Sequence, residues 1–355
     1  MYSAKKINIR QLSLDEVTSL FEKKGEKKFR AKQLYDWIWK HSARSFEEMT
    51  NLPALLRGSL SEEYDLNAVT VESEQKSNDG TIKTIFKLAD NNRVEGVLIP
   101  ADDRMTACIS SQVGCSLTCA FCATGRLERI RNLEAEEIYD QVVIIRNQAE
   151  KHFGMPLSNI VYMGMGEPLL NYSQVLRSIE HITSPAGLGM SAQRITVSTA
   201  GIAKSIKKLG DDGVKFNLAV SLHAANDIKR SKIMPINEQN SLIILKESLL
   251  YFYKKTGTKV TYEYIIFNNF NDTLEDAAEL AAFAKVIPCK VNIIEYNPIE
   301  RGSYSNATPE KTESFRAFLE ANGIIVNVSR SRGKDIDAAC GQLAMKGNNV
   351  QLKNI

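Results

Sequence analysis

The sequence holds no apolar run approaching the roughly 20 residues that a membrane-spanning helix needs, and its opening MYSAKKINIR lacks the apolar segment of a secretory signal. No membrane association is expected, and the predicted address is the cytoplasm. Neither sign of charge dominates: 45 Lys and Arg against 42 Asp and Glu leave +3 over 355 residues, too little to demand a nucleic-acid partner by itself. Histidine is scarce, with four residues scattered at positions 41, 152, 181 and 223. Cysteine numbers six, and in a reducing compartment these do not make a disulfide framework. With 43% hydrophobic and 8% aromatic residues, disorder, collagen and coiled coil are excluded.

What is present is unevenly placed. Residues 1–40 carry ten Lys and Arg against five Asp and Glu, whereas 41–100 carry six against ten; the basic tip reads as a solvated helix face, with RNA binding as the alternative. Cys115, Cys119 and Cys122 fall within eight residues, while Cys108, Cys289 and Cys340 stand apart. Single cores stop growing at about 250 to 300 residues, so the length implies one large unit with a smaller attachment.

The first 65 residues read as short helices: Ser13 with Glu16 makes a capping box, and Leu34, Trp37 and Ile38 give a helical stripe. From 66 to 111 the period becomes two, in VTVESEQ, TIKTIFKL, RVEGVLIP and MTACISS, which predicts a β-ribbon. Beyond 134 helices and strands alternate, with helices over 134–150, 173–182, 202–209, 241–255, 273–286 and 309–321. Gly257 and Gly323 close helices ahead of strands, and Thr308 with Pro309 opens the last one. About six βα units imply a parallel sheet, either doubly wound or a partly closed barrel, with active groups at the C-terminal strand ends.

CSLTCAFC, residues 115–122, spaces its thiols Cys-x3-Cys-x2-Cys directly after a strand. Soft thiolates select zinc, copper or iron–sulfur clusters. A structural zinc site wants four closing ligands, usually two separated pairs, so three ligands from one loop better suit a 4Fe–4S cluster with an open iron. Zinc, a Cys-x2-Cys redox pair and incidental buried cysteines are the alternatives. The three cysteines, with Phe121 before the last, resemble the signature of radical S-adenosylmethionine enzymes, which implies a partial (β/α)6 barrel, a 4Fe–4S cluster and S-adenosylmethionine. Gly166 and Glu167 in MGMGEP then resemble the turn that holds the methionine ammonium in that family. Ser198, Ser221, Leu222, His223 and Asn297 lie at later strand ends and share that edge.

SSQVGCSLTCAFCATG, MGMGEPL, VSTAG, AVSLHA, MPIN and DIDAACGQL together resemble the RlmN/Cfr-type ribosomal RNA adenine methyltransferases over nearly the whole chain. Pro168, where the antibiotic-resistance branch usually has Ala, places the sequence nearer the housekeeping branch. The resemblance implies methylation of C2 of adenine 2503 in 23S rRNA, with adenine 37 of tRNA as a further substrate; C8 methylation, or a non-catalytic RNA-binding protein with a structural metal, are the alternatives. It divides the chain into a helical RNA-binding domain (1–65), a β-ribbon linker (66–100), a radical core (101–330) and a C-terminal segment (331–355). It makes Cys340 the methyl-accepting nucleophile, whose thiomethylene radical adds to adenine, Cys108 the thiol that releases product through a transient disulfide, and Glu95 a proton acceptor. Two S-adenosylmethionine molecules are consumed per methylation, a flavodoxin-type protein donates electrons, and the chain is expected to be monomeric. Arg126, Arg129, Arg131, Arg330, Arg332 and Lys334 are candidates for phosphate contacts, and the target adenine is expected to be flipped out of its stack. Cys289 matches no motif and reads as structural.

Overall fold

The structure, a computed structural model, describes residues 6–300, 302–345 and 353. Three helices open the chain: α1 (Leu14–Lys23), α2 (Phe29–Trp39) and α3 (Ala54–Glu63). The Ser13 hydroxyl accepts the Glu16 N–H while the Glu16 carboxylate accepts the Ser13 N–H, the reciprocal cap that the sequence predicts. A meander follows, β1 (Thr70–Lys76), β2 (Ile82–Lys87), β3 (Arg93–Ala101) and β4 (Arg104–Cys108). Then come α4 (Ala135–Phe153), β5 (Asn159–Tyr162), α5 (Tyr172–Thr183), β6 (Ile195–Thr199), α6 (Ala203–Asp211), β7 (Asn217–Ser221), α7 (Asp227–Ile233), α8 (Leu242–Thr256), β8 (Val260–Ile265), α9 (Leu274–Ala284), β9 (Cys289–Ile294), α10 (Pro309–Ala321) and β10 (Ile325–Ser329).

These ten strands lie in one sheet in chain order; two short two-stranded pairings, Ile7–Asn8 with Tyr64–Asp65 and Gln112–Val113 with Arg131–Asn132, lie apart from it. β1 to β4 pair antiparallel, and β4 to β10 pair parallel. This order decides between the two architectures that the sequence left open. A doubly wound sheet reverses its strand order at a switch point. Here every crossover advances the same way, and right-handed crossovers then put every helix on one face, so the sheet curls around the other. β10 remains an edge, which makes a partial (β/α)6 barrel: six βα units and a seventh parallel strand. The β-ribbon is the antiparallel flank of the same sheet, and β1, exposed along all seven residues, guards that edge with Glu72, Glu74 and Lys76.

β8 shows how sequence alternation feeds both faces. Tyr262 and Tyr264 pack outward on Phe283 of α9 and Phe315 of α10, whereas Glu263 and Ile265 face the inner cavity. The helix α7 goes unpredicted because seven residues before Pro235 carry too little periodicity; the Asn226 side chain starts it by accepting the Ile228 and Lys229 N–H groups.

The N-terminal helices are docked on the barrel. Both Arg10 Nη atoms donate to the Asp140 carboxylate of α4, at 2.9 and 2.7 Å, and the Trp39 ring stacks on His181 of α5 with centroids 3.5 Å apart. Among the described residues no helix is long and apolar enough to cross a membrane.

Candidate active site

The C-terminal ends of β5 to β8 surround a cavity whose wall includes Cys115, Cys119, Cys122, Gly166, Glu167, Ser198, Ser221, His223, Glu263 and Cys340. The cysteine loop leaves β4 and turns tightly: the Cys122 N–H donates to the Cys119 carbonyl at 3.2 Å and the Gly125 N–H to the Cys122 carbonyl at 3.1 Å. Burial, then the charge of its neighbour Cys122, pushes the Cys115 thiol up to about 12, and burial also pushes Cys119 and Cys122 upward. Among the described residues no three such side chains close round a single ion; Cys115, Cys119 and Cys122 all line the one cavity. Three soft donors lining one cavity without closing on a single ion fit a larger ligand that brings its own positive charge, which suits an iron–sulfur cluster.

At the end of β5, Gly166 adopts φ +99°, and a Cβ there would lie 2.5 Å from Gln112 Cβ, so only glycine lets the turn approach. The Glu167 N–H donates to Gln112 Oε1 at 2.8 Å. Its carboxylate accepts the Leu169 N–H at 3.0 Å and the Ala200 N–H at 2.7 Å, tying the ends of β5 and β6 together. Burial pushes this carboxyl up, so a cation would find it a favourable partner. His223, at φ +55°, accepts the Ile265 N–H on Nδ1 at 3.1 Å and meets the edge of Phe121 at 4.5 Å. Burial, and secondarily Arg230, push it down to about 3, which keeps it neutral.

Not every residue on the shared strand edge reaches the cavity wall. The Leu222 side chain is fully buried in the core, and its N–H donates to the Glu263 carbonyl at 3.0 Å. Asn297 donates instead to the Cys340 carbonyl at 3.2 Å, helping to fix the C-terminal loop. That loop is fastened on several sides. The Ala123 N–H donates to the Gly341 carbonyl at 2.7 Å, Thr124 Oγ1 to the Leu343 carbonyl at 2.6 Å, and Gln342 Nε2 to the Pro298 carbonyl at 3.1 Å. Cys340 is thereby held beside the cysteine loop and opens on the cavity. Surrounding protein atoms, then Glu263 and Cys122, push its thiol up to about 11.

Cys108 and Glu95 stand behind the wall. Cys108 is buried at the end of β4, and burial followed by the charge of Cys340 pushes its thiol upward, so the two are electrostatic neighbours; both are free thiols. Glu95 of β3 accepts the N–H groups of Ala344 and Met345, and its other oxygen lies 3.8 Å from the Lys83 ammonium. Burial pushes its carboxyl up. Cys289 donates to the Ala284 carbonyl at 3.2 Å, away from the cavity.

The arginines offered for phosphate contacts divide. Arg131 is paired internally, with Asp90 at 2.6 Å and Glu137 at 2.7 Å, and Lys334 pairs with Glu295 at 2.6 Å. Arg129, Arg330 and Arg332 are exposed and Arg126 is half-buried. The sequence reading missed Glu263, whose carboxylate accepts Asn292 Nδ2 at 3.0 Å. A lone acid inside the apolar run VTYEYI was the signal for it.

Residues 7–66 match the family described as ribosomal RNA large subunit methyltransferase N-terminal domain, and residues 109–281 match the radical SAM superfamily. A probable dual-specificity RNA methyltransferase RlmN of Cytophaga hutchinsonii is 63% identical over 96% of this chain and 94% of its own. One from Christiangramia forsetii is 54% identical over 96% and 97%. The crystal structure of a radical SAM methyltransferase from Sphaerobacter thermophilus, 38% identical, superposes with a TM-score of 0.90 over 95% of this chain and 99% of that one. A three-cysteine loop at the mouth of a partial barrel, an N-terminal domain of the ribosomal RNA type and full-length relatives converge: the chain belongs to the RlmN family of radical S-adenosylmethionine RNA methyltransferases.

Proposed function

We propose that the chain methylates C2 of adenine 2503 in 23S rRNA, and adenine 37 of tRNA as a second substrate, through an S-methyl intermediate on Cys340. The observation that carries this reading is the fastening of the Cys340 loop to the cysteine loop by the Ala123 and Thr124 hydrogen bonds, which presents one non-ligand thiol to the cavity of Cys115, Cys119 and Cys122. Adenine C2 is electron-poor and the S-adenosylmethionine methyl group is electrophilic, so direct polar transfer is mismatched. When bound, the 4Fe–4S cluster and two S-adenosylmethionine molecules supply an electrophilic methyl group and a 5'-deoxyadenosyl radical.

The residues divide that work. Cys115, Cys119 and Cys122 hold the cluster. Glu167 would face the methionine ammonium, and Gly166, Ser198, Ser221 and His223 would line the cofactor's path, with Leu222 holding the backbone behind them. Asn297 acts through the Cys340 carbonyl. Cys340 takes the methyl group on sulfur, the most nucleophilic side-chain atom available, and carries the carbon to adenine. After the radical adduct has given up one electron and its C2 proton, the Cys108 thiolate attacks the Cys340 sulfur. The sulfur–carbon bond breaks with its electron pair on the methylene carbon, that carbon takes a proton to become the methyl group, and a Cys108–Cys340 disulfide remains for external reduction by two electrons. Glu95 or Cys108 accepts the C2 proton. The α1 to α3 domain recognises folded RNA, a flavodoxin-type protein supplies electrons, and the enzyme works in the cytoplasm as a monomer. Mass spectrometry of rRNA from cells lacking the gene tests this. Loss of 2-methyladenine supports the reading, whereas persistence of that base with loss of 8-methyladenine assigns the chain to C8 chemistry.

A further inference from the structure

Two cations beside the cysteine loop have no part in the steps above. Lys353 Nζ donates to the carbonyl oxygens of Cys115 at 2.6 Å, Leu117 at 3.0 Å and Gly125 at 2.8 Å, which uses all three ammonium hydrogens. Its backbone N–H donates to the Arg126 carbonyl at 2.8 Å. From α7, the fully buried Arg230 donates to the carbonyls of Leu222 at 3.1 Å, Ala200 at 2.6 Å and Ser221 at 3.2 Å, and to Asn237 Oδ1 at 2.8 Å. Every one of these acceptors is a neutral oxygen. Arg230 is out of water and hydrogen-bonds only to dipoles, so its charge must be answered at longer range, whereas Lys353 is half-buried. The acidic groups that act on them electrostatically are Cys119 and Asp227 for Arg230, and Cys115, Cys119, Cys122 and Glu128 for Lys353.

Thiolate-ligated clusters gain negative charge on reduction, and their potentials follow net charge, hydrogen bonding and solvent exposure. A fixed cation beside the cluster loop therefore favours the reduced form. We propose that Lys353 is a positioning residue for the cluster: its ammonium ties together the Cys115–Gly125 loop and, with Arg230, raises the cluster's reduction potential without ligating iron. This rests on the reading that the loop holds a 4Fe–4S cluster.

The test uses the full chain reconstituted anaerobically, as wild type, Lys353→Gln and Lys353→Arg, with iron and sulfide counted and the midpoint potential followed by electron paramagnetic resonance. The expected result is equal loading in all three, a more negative midpoint in Lys353→Gln and a wild-type midpoint in Lys353→Arg. A Lys353→Gln cluster that is fully loaded with an unmoved midpoint overturns the proposal alone. Equal loss of iron from both variants also overturns it, since a purely geometric role would not distinguish the charged replacement from the neutral one. A wild-type chain that binds zinc and assembles no cluster overturns the functional reading beneath it as well.

Discussion

The Glu95 carboxylate accepts the backbone N–H of Ala344 at 2.8 Å, across 249 residues of sequence. The same oxygen takes the Met345 N–H at 3.1 Å, so one buried acid on the antiparallel flank holds the loop that bears Cys340. The resemblance alone gives Glu95 a chemical role; the geometry adds a mechanical one.

Glu95→Gln keeps the size of the side chain and removes its charge. It turns charge-assisted hydrogen bonds, worth about 1.5–3 kcal/mol, into ordinary ones and leaves the buried Lys83 ammonium unpaired. Amide exchange at Ala344 and Met345 is expected to quicken by about tenfold or more, measured by hydrogen–deuterium exchange. Unchanged protection would show that the loop is held by the Ala123 and Thr124 contacts alone.

Cys108→Ala removes the thiol that frees the product. Methyl transfer to Cys340 should persist, and a protein–RNA adduct should accumulate through Cys340, seen as a band resistant to denaturant and cleaved by ribonuclease. Normal accumulation of free methylated RNA would take Cys108 out of the mechanism.

Gly166→Ala puts a methyl group 2.5 Å from Gln112 at a φ of +99°. Strain of about 1–3 kcal/mol falls on the turn that carries Glu167. Affinity for S-adenosylmethionine should drop by about tenfold or more, read by equilibrium binding to the cluster-loaded protein. Equal affinity would separate this turn from cofactor binding.

Arg10→Ala removes the cation from a buried pair with Asp140, whose side chain is 8% exposed. Breaking such a pair costs about 3–5 kcal/mol, softened here because Asp140 also accepts the Val69 N–H at 2.9 Å. A drop in melting temperature is expected, with earlier proteolysis of the N-terminal helices. Simultaneous, undisturbed melting of both parts would show that the Trp39–His181 stack holds the domain unaided.

These tests reach different depths of what could be read in the chain. The capping box at Ser13, the helix ends at Gly257 and Gly323 and the βα alternation are local signals, and the structure carries them. Barrel against doubly wound sheet was not legible in the periodicity, because strand order is a property of long-range pairing; the resemblance carried by the cysteine loop pointed to the barrel. Cys115, Cys119 and Cys122 were legible since one loop supplies all three, whereas Lys353 and Arg230 act on that loop from segments 228 and more than 100 residues away, as the Lys353–Gly125 bond shows. The partners of Arg131, Asp90 and Glu137, were not legible either, because only the fold brings Asp90 to it.

Glu263 is the site residue with the most direct pH signature. It is 6% exposed on β8, lines the cavity beside Cys340 and is answered by one hydrogen bond, from Asn292. Burial pushes its carboxyl from 4.5 up to about 7. The folded state therefore holds this proton more tightly than the unfolded chain does, so its contribution to stability is full below about pH 4.5 and is lost as pH rises to about 7. The loss amounts to about 3 kcal/mol at 1.36 kcal/mol per pH unit. Glu263→Gln cannot ionise, so relative to wild type it should gain stability across that window and keep the gain above it. Thermal melts of the two cluster-loaded proteins at pH 5 and pH 8 measure this as a difference of differences, which cancels the groups they share. Parallel pH dependence would mean that Glu263 is ionised in the folded protein throughout, with a cation other than those described here holding it.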